Sequence, residues 1–398
     1  MHIHVSIINT IAIPASILGG LVQPSINQDR YRSEGLEAPK RPSKKASAIG
    51  IDYAVRMNVI RFVSMCSIVL CHCLFNLEND TFPTLNSQII QVFILQAGRL
   101  GTIAFFIISG FFLTRRLQDF TVLNYLRHRF FKIILPWIGA LLLFVTIQFL
   151  SSVPLSSLAN QTRRETTVFI VTLVKDLMMY TSYWFIPIAI TAACIIIIFK
   201  KYVNSLWFGL LLAGITLFYC VNLYFGWISA QHTKAVLGYT FFLWLGTQLY
   251  RYQHKAAALI NKTPWIVFIA AASVLFPMAC IEAIGLRAFH STDPFASIRF
   301  SNILLSVVFF IMLLKTKKLD AINALQPQRY IYGVYLLHSI LIALVVAQVH
   351  KAASRGSIGR TFFIELTFFL FIFLFSYILA VVIKSFRGTE TKTPNKRN

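Results

Sequence analysis

The chain has 398 residues, of which 57% are apolar and only 13% charged, and its mean hydropathy is +0.68. That balance excludes a water-soluble globular protein, which needs a larger polar coat. The net charge of +23 would suit a nucleic-acid binder in a soluble chain. In an apolar chain it reports which loops face the cytoplasm, and no nucleic-acid partner is expected.

The first apolar stretch, 5–24, is broken by Pro14 and a Gly-Gly pair and has no preceding basic residues. It reads poorly both as a signal peptide and as a span. Residues 25–50 are polar, basic and Pro-containing, so 1–50 are expected to be a mostly flexible cytoplasmic arm. Ten apolar blocks follow, at 57–76, 91–114, 131–150, 183–199, 206–227, 235–250, 264–284, 298–315, 329–350 and 361–383. A helix needs ~20 residues to cross the hydrocarbon core, and most blocks supply them. Backbone groups find no water partner in lipid, and no barrel-type alternation is present, so the blocks are predicted helices. Segment 166–180 carries Lys175 and Asp176 at its middle and is expected to be an interfacial or re-entrant element. Residues 385–398 read as a solvated tail.

If residue 57 enters from the cytoplasm, the inner segments hold 25 Lys and Arg and the outer loops hold eight. Arg61, Arg99, Arg299 and Arg329 lie within or at the edge of spans and complete the 37. The fold class predicted is therefore all-α, a polytopic membrane domain over 51–384 of about ten transmembrane helices with both termini cytoplasmic. All six cysteines fall in spans, which excludes a disulfide framework in the loops. The run Cys71-His72-Cys73 resembles a metal site, but adjacent helical residues point in different directions, so no metal is expected.

An ionisable residue inside a span is expensive and marks function by default. Arg61 and His72 are eleven residues apart on the first predicted span. At ~100° per residue they fall within about 20° of one face, separated by roughly 16 Å along the axis. The blander readings are a snorkelling arginine and an interhelical hydrogen bond. In GRLGTIAFFIISGFFLTRR, the Ser109-Gly110 step permits a close helix approach or a local break, while Arg99 sits toward the outer end. Arg115, Arg116, Arg127, Arg129 and Lys132 then gather five cations in one predicted cytoplasmic loop, 115–132, with Pro136 soon after it. Guanidinium groups suit phosphate oxygens, so a nucleotide or coenzyme A would fit, although positive-inside anchoring explains any one of them. His338 lies near the middle of the ninth span and suits substrate orientation, proton relay or plain packing. Trp184 and Glu282 are weaker candidates.

The order Arg61, ten residues, His72, then AFFIISGF, LRHRFFKIILPW, YWF and IYGVYLLH resembles the acyltransferase 3 family, over about residues 51–384. The resemblance implies a ten-span membrane protein that O-acylates, most often O-acetylates, surface carbohydrates such as lipopolysaccharide O-antigen. It also implies a donor acyl-CoA, usually acetyl-CoA, on the cytoplasmic side and residence in a bacterial inner membrane. Carried onto this chain, it makes His72 the catalytic histidine and Arg61 its functional arginine, with Ser109 and Gly110 the Ser-Gly step. Arg127, Arg129 and Lys132 match the basic run expected at the donor. Many relatives carry a glutamate soon after the tryptophan of the middle motif. Here the chain reads Tyr183-Trp184-Phe185-Ile186-Pro187 with no acid. The fused extracytoplasmic domain of longer members is not expected here, so transfer is expected to finish within the membrane unit.

The expected reaction is acyl transfer from a cytoplasmic donor to a carbohydrate hydroxyl, with His72 as general base or transient acyl carrier and no permanently bound cofactor. A transporter of lipid-linked sugars or small anions is the alternative, and the absence of inverted repeats counts against it. A non-enzymatic sensor or scaffold would tolerate loss of both Arg61 and His72. The sugar, the acyl group and the oligomeric state are not legible.

Overall fold

The computed structural model describes residues 51–75, 85–152, 162–229, 235–353 and 358–389. The expected arm 1–50, with its apolar stretch 5–24, and residues 390–398 of the tail lie outside these. Every regular element among the described residues is helical.

Helix α1 (Tyr53–Phe75) starts after Asp52, whose carboxylate accepts from the amides of Ala54 and Val55 at 3.0 and 3.2 Å. That satisfies two of the donors a helix start leaves open. The second predicted span comprises α2 (Leu85–Gly98) and α3 (Gly101–Thr114), joined by a turn at Arg99 and Leu100 that keeps Leu100 in helical dihedrals. Helix α4 (Val122–Arg129) runs without a gap through a π-turn, Phe130–Ile134, into α5 (Leu135–Ser152). The loop expected over 115–132 is thus helical from Val122 onward. Pro136 explains the wide turn: it lacks an N–H, and its ring would collide with the Lys132 carbonyl of a regular helix. Tyr332 donates to the Ile133 carbonyl within this turn at 2.6 Å.

Helix α6 (Arg163–Tyr180) opens on a capping box between Thr162 and Glu165 and covers the segment expected to be interfacial or re-entrant. At Thr181 the chain bends by 80° through a 3-10 turn (Ser182–Trp184) into α7 (Phe185–Ile198). The remaining helices are α8 (Leu206–Phe225), α9 (Thr240–Arg251), α10 (Gln253–Lys262), α11 (Trp265–Ala288), α12 (Phe300–Lys315), α13 (Pro327–Ala353) and α14 (Ile358–Thr389). Each of the ten predicted blocks therefore falls on a helix. By length and composition, however, seven helices among the described residues can cross a membrane, or eight with the bent pair α6–α7 as one span. The blocks 235–250 and 298–315 form helices of 12 and 16 residues. At ~1.5 Å per residue both fall short of a ~30 Å hydrocarbon core.

Helix α1 is the centre of the bundle and packs on α2, α3, α12, α13 and α14. One core joins its first half to α3, α7, α9 and α12, and a second joins its middle to α5, α13 and α14. Helices α3 and α9 cross at glycines: a Cβ on Gly110 would lie 1.8 Å from the Leu243 carbonyl oxygen, and one on Gly246 2.0 Å from that of Ile107. Small residues at such a crossing let two backbones touch. Some buried polar groups pair across helices. The Arg299 guanidinium, fully buried, donates to the carbonyls of Ala279 (2.6 Å) and Ala296 (3.2 Å) and to Gln96 Oε1 (2.5 Å). Gln96 in turn donates to Asn302 at 2.7 Å, tying α2, α11 and α12 together. Outward faces of α8, α11 and α14 expose Trp207, Leu211, Ile266, Ile281, Phe371 and Ile378. So much outward apolar surface suits lipid rather than water.

Candidate active site

His72 sits near the end of α1 and His338 in the middle of α13, 266 positions apart in sequence. Their rings are nearly parallel (3°), and His72 Nδ1 lies 2.9 Å from His338 Nε2. The other nitrogen of His338, Nδ1, lies 3.0 Å from the Val334 carbonyl oxygen. A carbonyl only accepts, so Nδ1 of His338 carries the proton that donates to it. In the neutral ring Nε2 is then an acceptor. His72 must supply the proton from its own Nδ1, which leaves the His72 lone pair on Nε2. One backbone carbonyl thus assigns the tautomers of both rings.

Groups from α13, the α6–α7 turn and α5 hold this pair in place. Ser182 Oγ and Ser339 Oγ are 2.7 Å apart, and Ser339 Oγ is 3.4 Å from His338 Nε2. Tyr335 donates to the Ser182 carbonyl at 2.8 Å, and Tyr183 donates to the Leu336 carbonyl at 2.7 Å. Trp137 Nε1 donates to the Tyr183 carbonyl at 3.2 Å. At the kink between α6 and α7, the Ser182 carbonyl thus accepts from Tyr335 of α13 and the Tyr183 carbonyl from Trp137 of α5. That network fixes the segment of α13 that carries His338.

His72 lines a cavity of about 600 Å³ together with Arg99, Trp184, Ser182 and Ser339. Thr102, Gln148, Thr181, Thr292 and Asp293 add polar groups, while Ile68, Phe144, Leu177 and Ile342 supply apolar walls. That volume and mixture suit a small organic ligand bearing several hydroxyls. The cavity brings together four of the predicted residues: His72, Arg99 and Trp184 in its lining, and His338 directly behind His72.

Arg61 is elsewhere. It lines a cleft of about 320 Å³ with Asn58, Arg115 and Gln328. Its Nη1 donates to Asn58 Oδ1 at 3.1 Å, and Arg61 and Arg115 flank the Phe112 ring at 5.4 and 5.0 Å. Arg116, Arg127 and Lys132 are exposed, and Arg129 lies over the Tyr125 ring at 5.4 Å. Ser109 donates to the Phe105 carbonyl at 2.7 Å within its own helix, and Gly110 serves the α3–α9 crossing. Neither of these two lines the histidine cavity or the Arg61 cleft. Cys71 and Cys73 diverge into different core clusters. Among the described residues no group of three His, Cys, Asp or Glu could hold a metal. Sequence reasoning passed over Asp293, Ser182 and Ser339. Ser339 could have been found from its position beside His338, whereas Asp293 stands in a loop with no distinguishing pattern.

A family model described as an acyltransferase domain matches residues 55–385. No curated protein and no solved structure matches the chain. The matched residues begin within α1 and end within α14, and they include both histidines and Arg61. The chain belongs to the acyltransferase 3 family and is a multi-pass membrane acyltransferase.

Proposed function

We propose that the protein is an O-acetyltransferase of the bacterial inner membrane that moves an acetyl group from cytoplasmic acetyl-CoA to a hydroxyl of a surface carbohydrate such as O-antigen. The observation that carries this reading is the paired histidine, His72 on His338, in the wall of a polar cavity large enough for one or two sugar rings. Both termini are taken as cytoplasmic on the Lys and Arg distribution, which puts the Arg61 cleft inside and the cavity toward the outer half.

In this scheme the donor's phosphates meet Arg61 and Arg115, with Arg116, Arg127, Arg129 and Lys132 at the approach. The pantetheine arm spans the roughly 16 Å of α1 between Arg61 and His72. Trp184 offers its ring to the apolar face of the sugar. His72 Nε2 takes the proton of the acceptor hydroxyl as the oxygen attacks the thioester carbonyl. The tetrahedral intermediate collapses, the C–S bond breaks, and the thiolate leaves with the proton that His72 returns. The new C–O bond is the ester. While His72 is an imidazolium, its Nδ1–H bond to His338 Nε2 becomes charge-assisted and strengthens.

The direct test supplies radiolabelled acetyl-CoA to membranes containing the protein and an extracted glycan acceptor. Label should appear in the glycan as base-labile ester; a transporter of sugars or anions would leave none. His338 makes a separate prediction. A hydrogen bond to a charged group contributes about 1.5–3 kcal/mol, so His338→Ala should lower kcat by about 10–150-fold. KM for the acceptor should stay near its original value. His338→Asn, whose amide oxygen can accept from His72, should recover part of the rate. Equal kcat in His338→Ala and the parent enzyme would show that the second ring is packing alone.

A further inference from the structure

Away from the histidine pair, the ends of α10, α11 and α12 enclose a cleft of about 600 Å³ lined by Asn261, Trp265, Lys315, Thr316, Lys317 and Lys318. Its lining holds three lysines and no carboxylate. The nearest acid in sequence, Asp320, is engaged by the Arg56 guanidinium on the α1 side. Lysines that merely serve the positive-inside bias need no fixed position, but Lys315 has one. Its Nζ donates to the carbonyls of Ile260 at 2.7 Å and Asn261 at 3.2 Å, and lies 5.8 and 6.0 Å from the ring centroids of Trp265 and Phe268. Carbonyl dipoles and ring quadrupoles hold the ammonium in place without neutralising it. Lys317 and Lys318 are exposed and add two more positive charges at the rim.

What lies next to the cleft narrows the kind of ligand. Trp265 sits at the start of α11, and the following Ile266, Val267 and Ile269 are all exposed on the same helix. A pocket of cations, an aromatic at its edge and an apolar track leading away complement an amphiphilic anion. A soluble phosphate would use the lysines and leave the track idle. Basic pockets between membrane helices are suited to anionic headgroups for this reason. We propose that this cleft binds the phosphate headgroup of an anionic membrane lipid, with an acyl chain laid along α11. This site is separate from the acyl-transfer machinery, and the proposal stands or falls independently of that reading.

The test uses the full chain purified in detergent and offered phosphatidylglycerol, phosphatidylcholine or inorganic pyrophosphate, with bound lipid read by native mass spectrometry and the melting midpoint read in parallel. Phosphatidylglycerol should be retained preferentially and should raise the midpoint. The double variant Lys317→Ser, Lys318→Ser should lose that preference by about fivefold for each lysine removed. Lys315 is left intact because it ties α12 to α10. Lys201→Ser with Lys384→Ser removes the same charge from other exposed positions and should keep the preference. Equal loss in both double variants would mean diffuse surface attraction and overturn the site. Stabilisation by pyrophosphate with no lipid preference would overturn the lipid assignment in favour of a soluble phosphate ligand. Equal retention of the two lipids by the parent chain would overturn it outright.

Discussion

Replacing His72 by alanine will lower acyl transfer by about 10²–10⁴-fold, the range that a positioned general base contributes. Imidazole titrates near neutrality, and of the two paired rings only His72 lines the cavity. His338 is fully buried behind it, its Nδ1 turned to the Val334 carbonyl and its Nε2 to His72. It cannot take over the role without turning away from both partners. The loss should appear in kcat with every acceptor tried, because the missing group acts on the proton rather than on sugar identity. His72→Gln, which keeps a hydrogen-bonding side chain of similar reach but no basic nitrogen, should be as inactive as alanine. The control is delivery: the variants should insert and elute as the parent protein does in detergent, since His72 is only partly buried. A correctly inserted His72→Ala protein with parental activity would end the proposed base role.

The largest effect on stability is expected at Gly110. A Cβ there meets the Leu243 carbonyl oxygen at 1.8 Å, and the reciprocal contact at Gly246 is 2.0 Å from the Ile107 oxygen. Both obstacles are backbone, so no side-chain rotation relieves them, and α3 and α9 must separate along their contact. Overpacking typically costs about 1–3 kcal/mol and occasionally more. Here the displaced helix also carries Phe106 and Phe111 of the first core, so Gly110→Val should leave little folded protein and Gly110→Ala should lower the melting midpoint markedly. Gly139→Ala is the matched control, because nothing lies within 4 Å of a Cβ at that position. A Gly110→Val protein that melts with the parent would show that the two helices can yield where their backbones touch.

Much of the fold was legible because apolar block length and charge bias are local, one-dimensional quantities. Every predicted block from 57 to 383 falls on a helix. The count of full crossings was less legible, since 235–250 and 298–315 are apolar enough but yield short helices, Thr240–Arg251 and Phe300–Lys315. The basic run was read as a loop because charge density masks a helix whose break signal, Pro136, widens one turn instead of ending it. At the site, periodicity put His72 and Arg61 on one face of α1. It could not supply the partner of His72, which comes from a residue 266 positions away. Nor could it separate the two arginine environments: Arg61 is drawn to Asn58 and Phe112 in its own cleft. Ser109 and Gly110 stood out in sequence, and their geometry is that of a helix crossing, where a back-bonded hydroxyl and a missing Cβ are what the contact requires.

The bend between α6 and α7 has a mechanical side. The turn at Ser182–Trp184 is the fulcrum of a long lever, α6, and that fulcrum is bolted to α13 through Tyr335, Tyr183 and the Ser182–Ser339 contact. Leu177 and Tyr180 of that lever, with Thr181 and Trp184 of the turn, form one side of the cavity. The same contacts tie the position of α6 to the turn of α13 bearing His338, and through it to His72.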